Sequence, residues 1–249
     1  MMNKEKIIEA FNKVKSLGWI KSHRRNNTGI GKTFEDCVGV VENNLKEPDL
    51  YGFEIKAHRS ESASYVTLFT KSPSFPKKGA NAYLKDKFGE HYEGSNLKKL
   101  HTSIFGNRFN LYAGKYSFRL INSRVERRIY IGVYSEDGNK PEDMSVYYAY
   151  EDIEKALRKK LHDLFYVSAQ RRMDADGKEE FYFDSAEIYS FPTLDNFLNM
   201  LDKGDIMFDI RIGTYQSGVK IGKPHDHGNC FRVKEDNLSK LYSTKEVVV

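Results

Sequence analysis

The first seventy residues alternate between helical and strand-like patterns of apolar side chains. Apolar residues at helical spacing predict a first helix over Lys4–Leu17. Steps of four, three and four from Phe34 to Leu45 predict a second helix, which Pro48 ends. Period-two alternation then predicts strands over 51–57 and 64–71, and the polar loop between them favours an antiparallel pair.

The rest of the chain mixes both patterns. Residues 75–115 show little periodicity, which predicts loops with short helices. Beyond them the pattern predicts, in order, strands IYIGVY and SVYYAY, a helix over 151–165, strands near 165–170 and 181–189, a helix near 193–202 and a strand over 205–215. On the last strand, alternation puts Asp209 and Arg211 opposite its apolar face. The mixture predicts an α/β fold.

Composition supports one compact protein. The chain has 249 residues, of which 39% are hydrophobic and 13% aromatic, so it can bury a sizeable core. No apolar run approaches the roughly 18 residues of a membrane span, and the amphipathic N-terminus does not resemble a signal peptide. We therefore expect no membrane partner and a cytoplasmic location in a prokaryotic cell. Two cysteines cannot form a disulfide framework, which agrees with a reducing compartment.

Positive charge is concentrated in segments that read as loops. The net charge is +5, a moderate excess that agrees with a polyanionic partner without requiring one. Basic clusters occupy residues 21–27, 71–79 and 123–128. Each can contact a phosphate backbone or be ordinary solvated charge.

The segment GIGKT resembles the end of a phosphate-binding loop. Such a loop needs another glycine five residues before the glycine of GKT, and that position holds Asn26. The preceding segment is also a weak strand. The glycines are better interpreted as a close-packed entry to the helix that carries Glu35, with Thr28 or Thr33 as possible caps.

A short acidic pattern, D-x4-E-x-K, suggests metal-dependent phosphodiester cleavage. Asp49 stands at a strand entrance, and alternation places Glu54 and Lys56 on one face of the strand. The two carboxylates and the Ile55 carbonyl offer hard oxygen ligands for Mg²⁺. The ammonium of Lys56 can orient a water molecule and offset charge on the phosphate. An exposed strand with a salt bridge would show the same bare pattern.

Glu35 is a candidate third acid of this site. It follows the apolar Phe34 at the edge of the buried stripe of its helix. A first-turn glutamate is by itself more often a partner of the helix dipole. The order of a helix glutamate, a Pro-Asp turn and an E-I-K strand favours one acidic pocket.

The segment GKPHDHGNCFR, residues 222–232, is the other dense set of polar groups. His225, His227 and Arg232 can donate hydrogen bonds to guanine, and Asp226 can accept one from cytosine. Arg211 on its strand can join them. His225 and His227 can also be ordinary surface residues. A zinc site is a rival, because His225, His227 and Cys230 give an H-x-H-x2-C pattern that lacks an evident fourth ligand.

Several of these blocks resemble the MvaI/BcnI family of type II restriction endonucleases, relatives of the mismatch-repair nickase MutH in the PD-(D/E)xK superfamily. The blocks run in the family's order from about residue 19 to 233: NTGIGKTFED, PDLYGFEIK, TLFTKSP, DIRIGTYQSG and GKPHDHGNCFR. Residues 85–190 match poorly, so no DNA contact can be transferred there. The resemblance implies a PD-(D/E)xK fold with a mixed central sheet flanked by helices, in a bilobed, MutH-like molecule.

The resemblance also implies a domain organisation and a catalytic set. The expected division is a catalytic lobe over residues 1–115 and a DNA-recognition lobe over 116–249. Asp49, Glu54 and Lys56 would be catalytic, with Glu35 as accessory acid, and Mg²⁺ would be the cofactor, replaceable by Mn²⁺.

By the same resemblance, the substrate is duplex DNA at CCWGG, cut after the second C by a monomer that nicks the strands in turn. Lys71, on the predicted strand beside the catalytic one, can contact phosphate or a base. Thr70 stands where BcnI-like sequences carry histidine, which favours W over S at the centre. A methyltransferase of the same restriction-modification system is an implied partner without necessary contact. The alternatives are CCSGG as the target, a MutH-like nickase under a partner's control, and a DNA-binding regulator with an inactive nuclease core.

Overall fold

A computed structural model describes residues 2–26, 28–40, 50–60 and 65–248 of the chain. Within these residues the helices are α1 (Met2–Ser16), α2 (Gly29–Cys37), α3 (Ala80–Phe88), α4 (Tyr150–Lys160) and α5 (Leu194–Lys203), with a 3-10 helix at Glu235–Leu241. The strands are β1 (Ile20–Lys21), β2 (Glu54–Arg59), β3 (Tyr65–Thr70), β4 (Glu90–His91), β5 (Lys98–Phe105), β6 (Asn110–Tyr112), β7 (Tyr116–Ser123), β8 (Arg128–Ser135), β9 (Pro141–Asp143), β10 (Tyr147–Ala149), β11 (Asp163–Met173), β12 (Glu179–Pro192), β13 (Ile206–Thr214), β14 (Pro224–Asp226), β15 (Cys230–Lys234) and β16 (Tyr242–Val248). The predicted α/β class is confirmed.

The chain divides into two compact units that interleave along the sequence. Unit 1 comprises residues 1–64, 157–193 and 242–249, and unit 2 comprises residues 65–156 and 194–241. The predicted boundary between residues 115 and 116 is therefore wrong, because it falls inside unit 2. Local patterns cannot reveal that β2, β11, β12 and β16 assemble one sheet from distant segments.

Unit 1 is built on a mixed sheet. β2 pairs in parallel with β11, β11 pairs antiparallel with β12, and β1 and β16 both pair antiparallel with β12. One face of this sheet carries the apolar core, in which the helices α1 and α2 bury Phe11 and Phe34 against Phe165. The amphipathic pattern of α1 is thereby satisfied, and Gly18 follows it with a positive φ of 71° that suits glycine.

The GIGKT segment forms the beginning of α2 and no phosphate-binding loop. A Cβ atom at Gly29 would lie 2.3 Å from the Arg24 carbonyl oxygen, so only glycine fits this close approach. Thr28 occupies the N-cap position without a side-chain cap bond, while the Thr33 hydroxyl donates to the Gly29 carbonyl at 2.7 Å. The predicted close-packed entry is confirmed, but neither threonine caps the helix through its side chain.

The second helix is shorter than its sequence pattern predicts. α2 begins at Gly29 and ends at Cys37, with Val38 as its C-cap. Gly39 then takes a φ of 80°, a conformation that ends the helix. The predicted continuation to Leu45 is wrong from Val38 to Val40, and residues 41–45 lie outside the part of the chain that the structure describes.

Unit 2 contains two antiparallel sheets. One has the order β10-β8-β7-β6 with β9 beside β8, and the other has the order β3-β15-β13-β5-β4 with β14 beside β13. Phe208 of β13 and Phe231 of β15 are fully buried and lie 4.8 Å apart between ring centroids. The alternation predicted for β13 is confirmed, because Ile206, Phe208, Ile210 and Ile212 are all buried.

Two predictions for residues 51–115 are wrong. β2 and β3 do not form the predicted antiparallel pair, because β2 pairs with β11 and β3 pairs with β15 in another sheet. The stretch 75–115 holds α3 and the eight-residue strand β5 rather than only loops and short helices. The more exposed side of β5 carries Lys99, His101 and Ser103, and its buried side includes Thr102, which hid its strand character. No helix in the described residues is long and apolar enough to cross a membrane.

Candidate functional site

Glu54 and Lys56 share one face of β2, as predicted. They pair with Leu164 and Tyr166 of β11, while Ile55 between them is buried in the helix-covered core. The Lys56 ammonium donates a hydrogen bond to Glu54 Oε1 at 3.3 Å. Both side chains are mostly buried, with exposures of 15% for Glu54 and 20% for Lys56. The face opposite the helices therefore holds a partly desolvated carboxylate and ammonium side by side.

The second oxygen of Glu54 is unusual. Oε2 is buried and has no hydrogen-bond partner among the described residues. A desolvated carboxylate oxygen without a donor is costly unless a cation is present. The phenol of Tyr242 is also buried, which raises its pKa, and the nearby negative charge of Glu54 raises that pKa further. Tyr242 and Glu54 thus belong to one buried polar region of unit 1.

This environment fits a hard divalent cation, as far as the structure describes it. The predicted ligands were Asp49, Glu54 and the carbonyl of Ile55. Asp49 lies outside the described residues. Among the residues that are described, no three His, Cys, Asp or Glu side chains are grouped closely enough to hold a metal ion. Glu54 contributes the oxygen that lacks a partner, and the other ligands stay predictions.

Glu35 lies in the last half of α2. Its neighbour Phe34 is fully buried against Phe165 and Phe183, and Glu35 itself is half-buried. α2 packs on the sheet face to which Ile55 points, whereas Glu54 points to the other face. The convergence of Glu35 with Glu54 around one ion therefore stays a prediction.

The polar face of β2 continues past Lys56 to a residue that the sequence analysis did not select. His58 hydrogen-bonds Ser168 and stacks on Tyr166 with ring centroids 4.4 Å apart and an interplanar angle of 9°. Because residues two apart share a strand face, the alternation Glu54, Lys56, His58 in EIKAH could have identified it. The site on β2 is thus a row of three ionisable groups.

A second set of charged groups lies on the polar face of the β3-β15-β13-β5 sheet in unit 2. Arg211 and Arg232, both predicted DNA-reading residues, bind the same carboxylate: Arg211 Nη2 lies 2.8 Å from Asp209 Oδ1, and Arg232 Nη1 lies 3.3 Å from Oδ2. The Ser103 hydroxyl donates to Oδ1 at 2.6 Å. Asp209 is buried, but the side chains of Arg211 and Arg232 remain 38% and 36% exposed. The buried carboxylate therefore holds two arginines whose side chains stay partly accessible.

The predicted histidines lie next to these arginines on the loop around β14. The His225 ring stacks on Tyr215 at 4.3 Å and lies 3.9 Å from the ring of His227. The His227 backbone N–H donates to the Arg211 carbonyl at 2.8 Å, which fixes the loop to β13. The structure thus brings His225, His227 and Arg211 together, although they are separated in sequence.

Asp226 is largely engaged within its own loop. Its Oδ1 accepts the backbone N–H groups of Gly228 and Asn229 at 2.8 and 3.0 Å. Its Oδ2 accepts the side-chain amide of Asn81 at 2.6 Å. A carboxylate with two oxygens can accept further donors, so a role in reading cytosine stays a prediction.

The rival zinc interpretation of this segment does not fit. His225, His227 and Cys230 are all described, and no metal-binding group of His, Cys, Asp or Glu is found among the described residues. Cys230 lies within β15, paired with Asp209 and Thr70. Burial raises the pKa of its thiol, which disfavours the thiolate that zinc requires.

His101 joins the cluster from β5, a strand that the sequence analysis missed. It pairs with Arg211 across the sheet and its ring contacts that of His227, with centroids 5.8 Å apart. Burial lowers the pKa of His101, and the charges of Arg211 and His227 lower it further. No local motif marks His101, because only the strand pairing brings it to this face.

Thr70 and Lys71 lie at the end of β3. Thr70 pairs with Cys230 and is exposed on the sheet that carries the arginines. The Lys71 ammonium lies 3.6 Å from Asp152 Oδ1. The prediction that Lys71 stands beside the catalytic strand is wrong, because β3 belongs to the sheet of β15 in unit 2.

Comparison with known proteins decides the family. The model of the MvaI/BcnI restriction endonuclease family matches residues 8–242. The chain belongs to the MvaI/BcnI restriction endonuclease family. It is therefore a type II site-specific deoxyribonuclease.

Solved structures agree with this assignment. The structure of restriction endonuclease MvaI in complex with its cognate DNA substrate is 35% identical in sequence, with a TM-score of 0.86 and 98% of each chain covered. MvaI in the absence of DNA is 36% identical, with a TM-score of 0.66 and coverage of 97% of this chain and 96% of that one. No curated protein sequence matches. The predicted restriction-endonuclease-like fold is confirmed, and enzymes of this family are generally dependent on divalent metal ions.

Proposed function

We propose that this endonuclease is Mg²⁺-dependent, recognises CCWGG, cleaves after the second C, and acts as a monomer that nicks the two strands in turn. The observation that carries the proposal is the family match over residues 8–242, which includes the strand that holds Glu54 and Lys56. Mn²⁺ is expected to substitute for Mg²⁺. A methyltransferase of the same specificity would protect the host DNA without having to contact this chain.

The catalytic set would be Asp49, Glu54 and Lys56, with Glu35 as an accessory acid. The carboxylates of Asp49 and Glu54 and the Ile55 carbonyl would hold the ion, which when bound polarises the phosphate and lowers the pKa of a coordinated water. The buried Oε2 of Glu54 supports this role. The Lys56 ammonium would orient the attacking water and offset charge on the phosphate oxygens.

The proposed reading groups lie on the polar face of unit 2. Arg211 and Arg232 would donate to guanine O6 and N7, which suits a target rich in G·C pairs. Their shared carboxylate, Asp209, supports the role because it fixes both guanidinium groups before DNA arrives. His225 and His227 would donate to guanine and Asp226 would accept from cytosine. Lys71 would contact phosphate or a base.

The proposed central base pair is W. Thr70, where related sequences with an S centre carry histidine, supports W. A central W or S makes the two strands inequivalent, so one active site must cut them in two separate events. This asymmetry is the physical reason for proposing a monomer that nicks in turn.

Digestion of plasmid DNA tests the proposal directly. Purified protein with Mg²⁺ should yield discrete fragments whose sequenced ends all derive from CCWGG. Asp49→Ala and Lys56→Ala should each abolish cutting while DNA binding persists. Ends that map to CCSGG or to another site would overturn the target, and cutting that survives both substitutions would overturn the catalytic set.

Supercoiled plasmid separates a restriction enzyme from a nickase under a partner's control. A restriction enzyme passes through open circles to linear DNA, whereas a nickase stops at open circles. We expect linear product with an open-circle intermediate. Open circles that persist after long incubation with excess enzyme would favour the nickase.

The arginine role has its own test. Arg232→Ala should weaken binding to the cognate duplex by about 1 to 3 kcal/mol and relax discrimination at one base pair. Binding curves on the cognate duplex and on duplexes with single changed base pairs measure both effects. An unchanged cognate binding curve would exclude a base-reading role.

A further inference from the structure

A concave basic surface of unit 1 lies apart from the groups on β2. It is a cleft of about 960 Å³ lined by residues 21–26, by Arg59 at the end of β2, and by the end of β11, the start of β12 and the turn between them. We name it the 21–26 cleft. Its basic residues include most of the cluster at 21–27, for which phosphate contact and solvated surface charge are the two interpretations.

The charge of the 21–26 cleft is strongly one-sided. Six cations line it against two carboxylates, Asp176 and Glu179: Lys21, Arg24, Arg25, Arg59, Arg171 and Lys178. Glu179 is shared by Arg59 at 2.9 Å and Arg171 at 2.8 Å. Cations gathered in a concavity focus a positive potential more strongly than the same cations dispersed on a convex surface.

Two of the cations are uncompensated. The side chains of Arg25 and Lys178 are exposed, and neither has an ion-pair partner among the described residues. Lys21, by contrast, lies 3.1 Å from Asp174. Arg25 and Lys178 are therefore the groups best placed to bind an anion from solution.

The walls of the 21–26 cleft are fixed by hydrogen bonds. The Ser22 backbone N–H donates to the Glu179 carbonyl at 2.8 Å, and its hydroxyl donates to the Arg24 carbonyl at 2.7 Å. The His23 backbone N–H donates to Thr33 Oγ1 at 2.9 Å. On the opposite wall, the Lys178 N–H donates to Asp174 Oδ1 at 2.8 Å. The backbone that carries the cleft's side chains is thus fixed, so less backbone entropy is lost when a ligand binds.

The position of the cleft relates it to the catalytic strand. Arg59 pairs with Ala169 of β11, and Lys178 lies one residue before the Met173–Glu179 pair. Lys178 is therefore about eight residues beyond Lys56 along the strand direction, roughly 26 Å at about 3.3 Å per residue. Duplex DNA rises about 3.4 Å per phosphate along each strand, so this distance corresponds to about eight nucleotides. The cleft is thus level with phosphates that lie outside a five-base-pair site cut at Lys56.

We propose that the 21–26 cleft binds backbone phosphates of the same duplex a few nucleotides outside the recognised site, through Arg25 and Lys178. The proposal rests on the proposed endonuclease function, because it needs the scissile phosphate at Lys56. Such contacts carry no sequence information, but they add affinity and orient the duplex over the catalytic strand. The partner is defined by its chemistry, a regular row of phosphodiesters on double-stranded DNA.

The test compares the salt dependence of DNA binding for two duplexes that carry the same site. One duplex has flanks of only one or two base pairs, and the other has long flanks. The Arg25→Gln/Lys178→Gln variant should reduce the slope of log Kd against log salt by about 1.8 on the long duplex, since each lost phosphate contact contributes roughly 0.9. On the short duplex its slope should match that of the unmodified protein. Binding is measured without divalent metal, so that no DNA is cut.

A matched control keeps the net charge equal. Lys6→Gln/Lys159→Gln removes two exposed cations of unit 1 that do not line the cleft, and it should leave both slopes unchanged. Thermal unfolding should be the same for both variants, because all four side chains are exposed. Equal slope losses in the two variants, or a loss of similar size on both duplexes, would overturn the proposal. A third duplex that lacks the site is added as a competitor. It should compete equally well for the cleft variant and for the unmodified protein. A change in competition that is specific to the cleft variant would instead indicate a second DNA molecule in the cleft.

The endonuclease proposal and the cleft proposal can fail independently of each other. If the unmodified protein does not cut plasmid with Mg²⁺, the endonuclease proposal fails whatever the slopes are. If it cuts, and the slopes of the cleft variant are unchanged, only the proposal for the cleft fails.

Discussion

Glu54 in unit 1 and Asp209 in unit 2 are both mostly buried carboxylates beside cations, but their surroundings differ. Glu54 has one ammonium at 3.3 Å from Oε1, and its buried Oε2 has no hydrogen-bond partner among the described residues. Asp209 receives one serine hydroxyl and two guanidinium groups. Glu54 retains a buried oxygen without a donor, whereas both oxygens of Asp209 have partners within the protein.

This difference indicates different uses of the same chemical group. A buried carboxylate oxygen without a donor lowers stability, so its presence points to a ligand that is missing from the folded chain alone. A carboxylate with partners on both oxygens stabilises the fold and fixes the side chains that bind it. We therefore expect Glu54 to bind a cation in catalysis, and Asp209 to act on DNA through Arg211 and Arg232.

The largest expected effect is on catalysis by Glu54. Glu54→Gln removes the charge while it keeps the size of the side chain, and it should lower the cleavage rate by at least about 10² to 10³-fold, the scale of losing one group that stabilises the transition state. Single-turnover cleavage of a duplex in Mg²⁺ measures the effect. Stability should be unchanged or slightly higher, because a neutral amide relieves the burial of an unpartnered charged oxygen.

The combination of results decides the interpretation of Glu54. A large loss of stability with Glu54→Gln would mean that the carboxylate is structural, as in a simple salt bridge with Lys56. Cleavage that keeps its normal rate would remove Glu54 from the catalytic set, even if the protein stays a nuclease.

The opposite pattern is expected for Asp209. Asp209→Asn removes the charge that pairs with two guanidinium groups and weakens the hydrogen bond from Ser103, and it should lower the free energy of unfolding by on the order of 2 to 3 kcal/mol. It should also weaken binding to the cognate duplex more than binding to nonspecific duplex, because Arg211 and Arg232 lose their fixed positions. Urea denaturation and binding to both duplexes measure these effects.

Ser103→Ala is the matched control for this substitution. It removes one neutral donor from the same carboxylate and leaves both arginines paired with it. Its effect on specificity should be much smaller than that of Asp209→Asn. Equal losses of cognate and nonspecific binding with Asp209→Asn would contradict a positioning role.

The sequence predicts the β2 site better than the face in unit 2 because the two are built differently. Glu54, Lys56 and Ile55 lie on one strand, so alternation alone fixes which side chains share a face. The same rule puts Asp209 with Arg211 on β13. The helix α1 and the strand β13 were predictable for the same reason, because each carries a complete local period.

Nonlocal pairing accounts for most of what the sequence did not predict. β2 pairs with β11, more than a hundred residues later, and not with its neighbour β3. His101 reaches the reading groups only because β5 pairs with β13, and Arg232 reaches Asp209 only because β15 pairs with it. A periodic pattern specifies the faces of a strand but not the identity of its partner.

The smallest expected effect is on the pH dependence of stability, and it comes from His101 beside Arg211 and His227 in unit 2. Burial lowers the pKa of His101 in the folded protein, followed by the charges of Arg211 and His227, whereas an unfolded histidine titrates at about 6.5. The unfolded chain therefore binds the proton first as the pH falls. The stabilisation from the neutral imidazole is complete above about pH 6.5 and is lost as the pH falls from there through the lowered pKa.

His101→Gln should flatten the pH dependence of the unfolding free energy below about pH 6.5. Above that pH, the unfolding free energy of the variant should change with pH as it does in the unmodified protein. Urea denaturation at several pH values measures this slope, and an unchanged slope in the variant would show that protonation of His101 is not linked to folding.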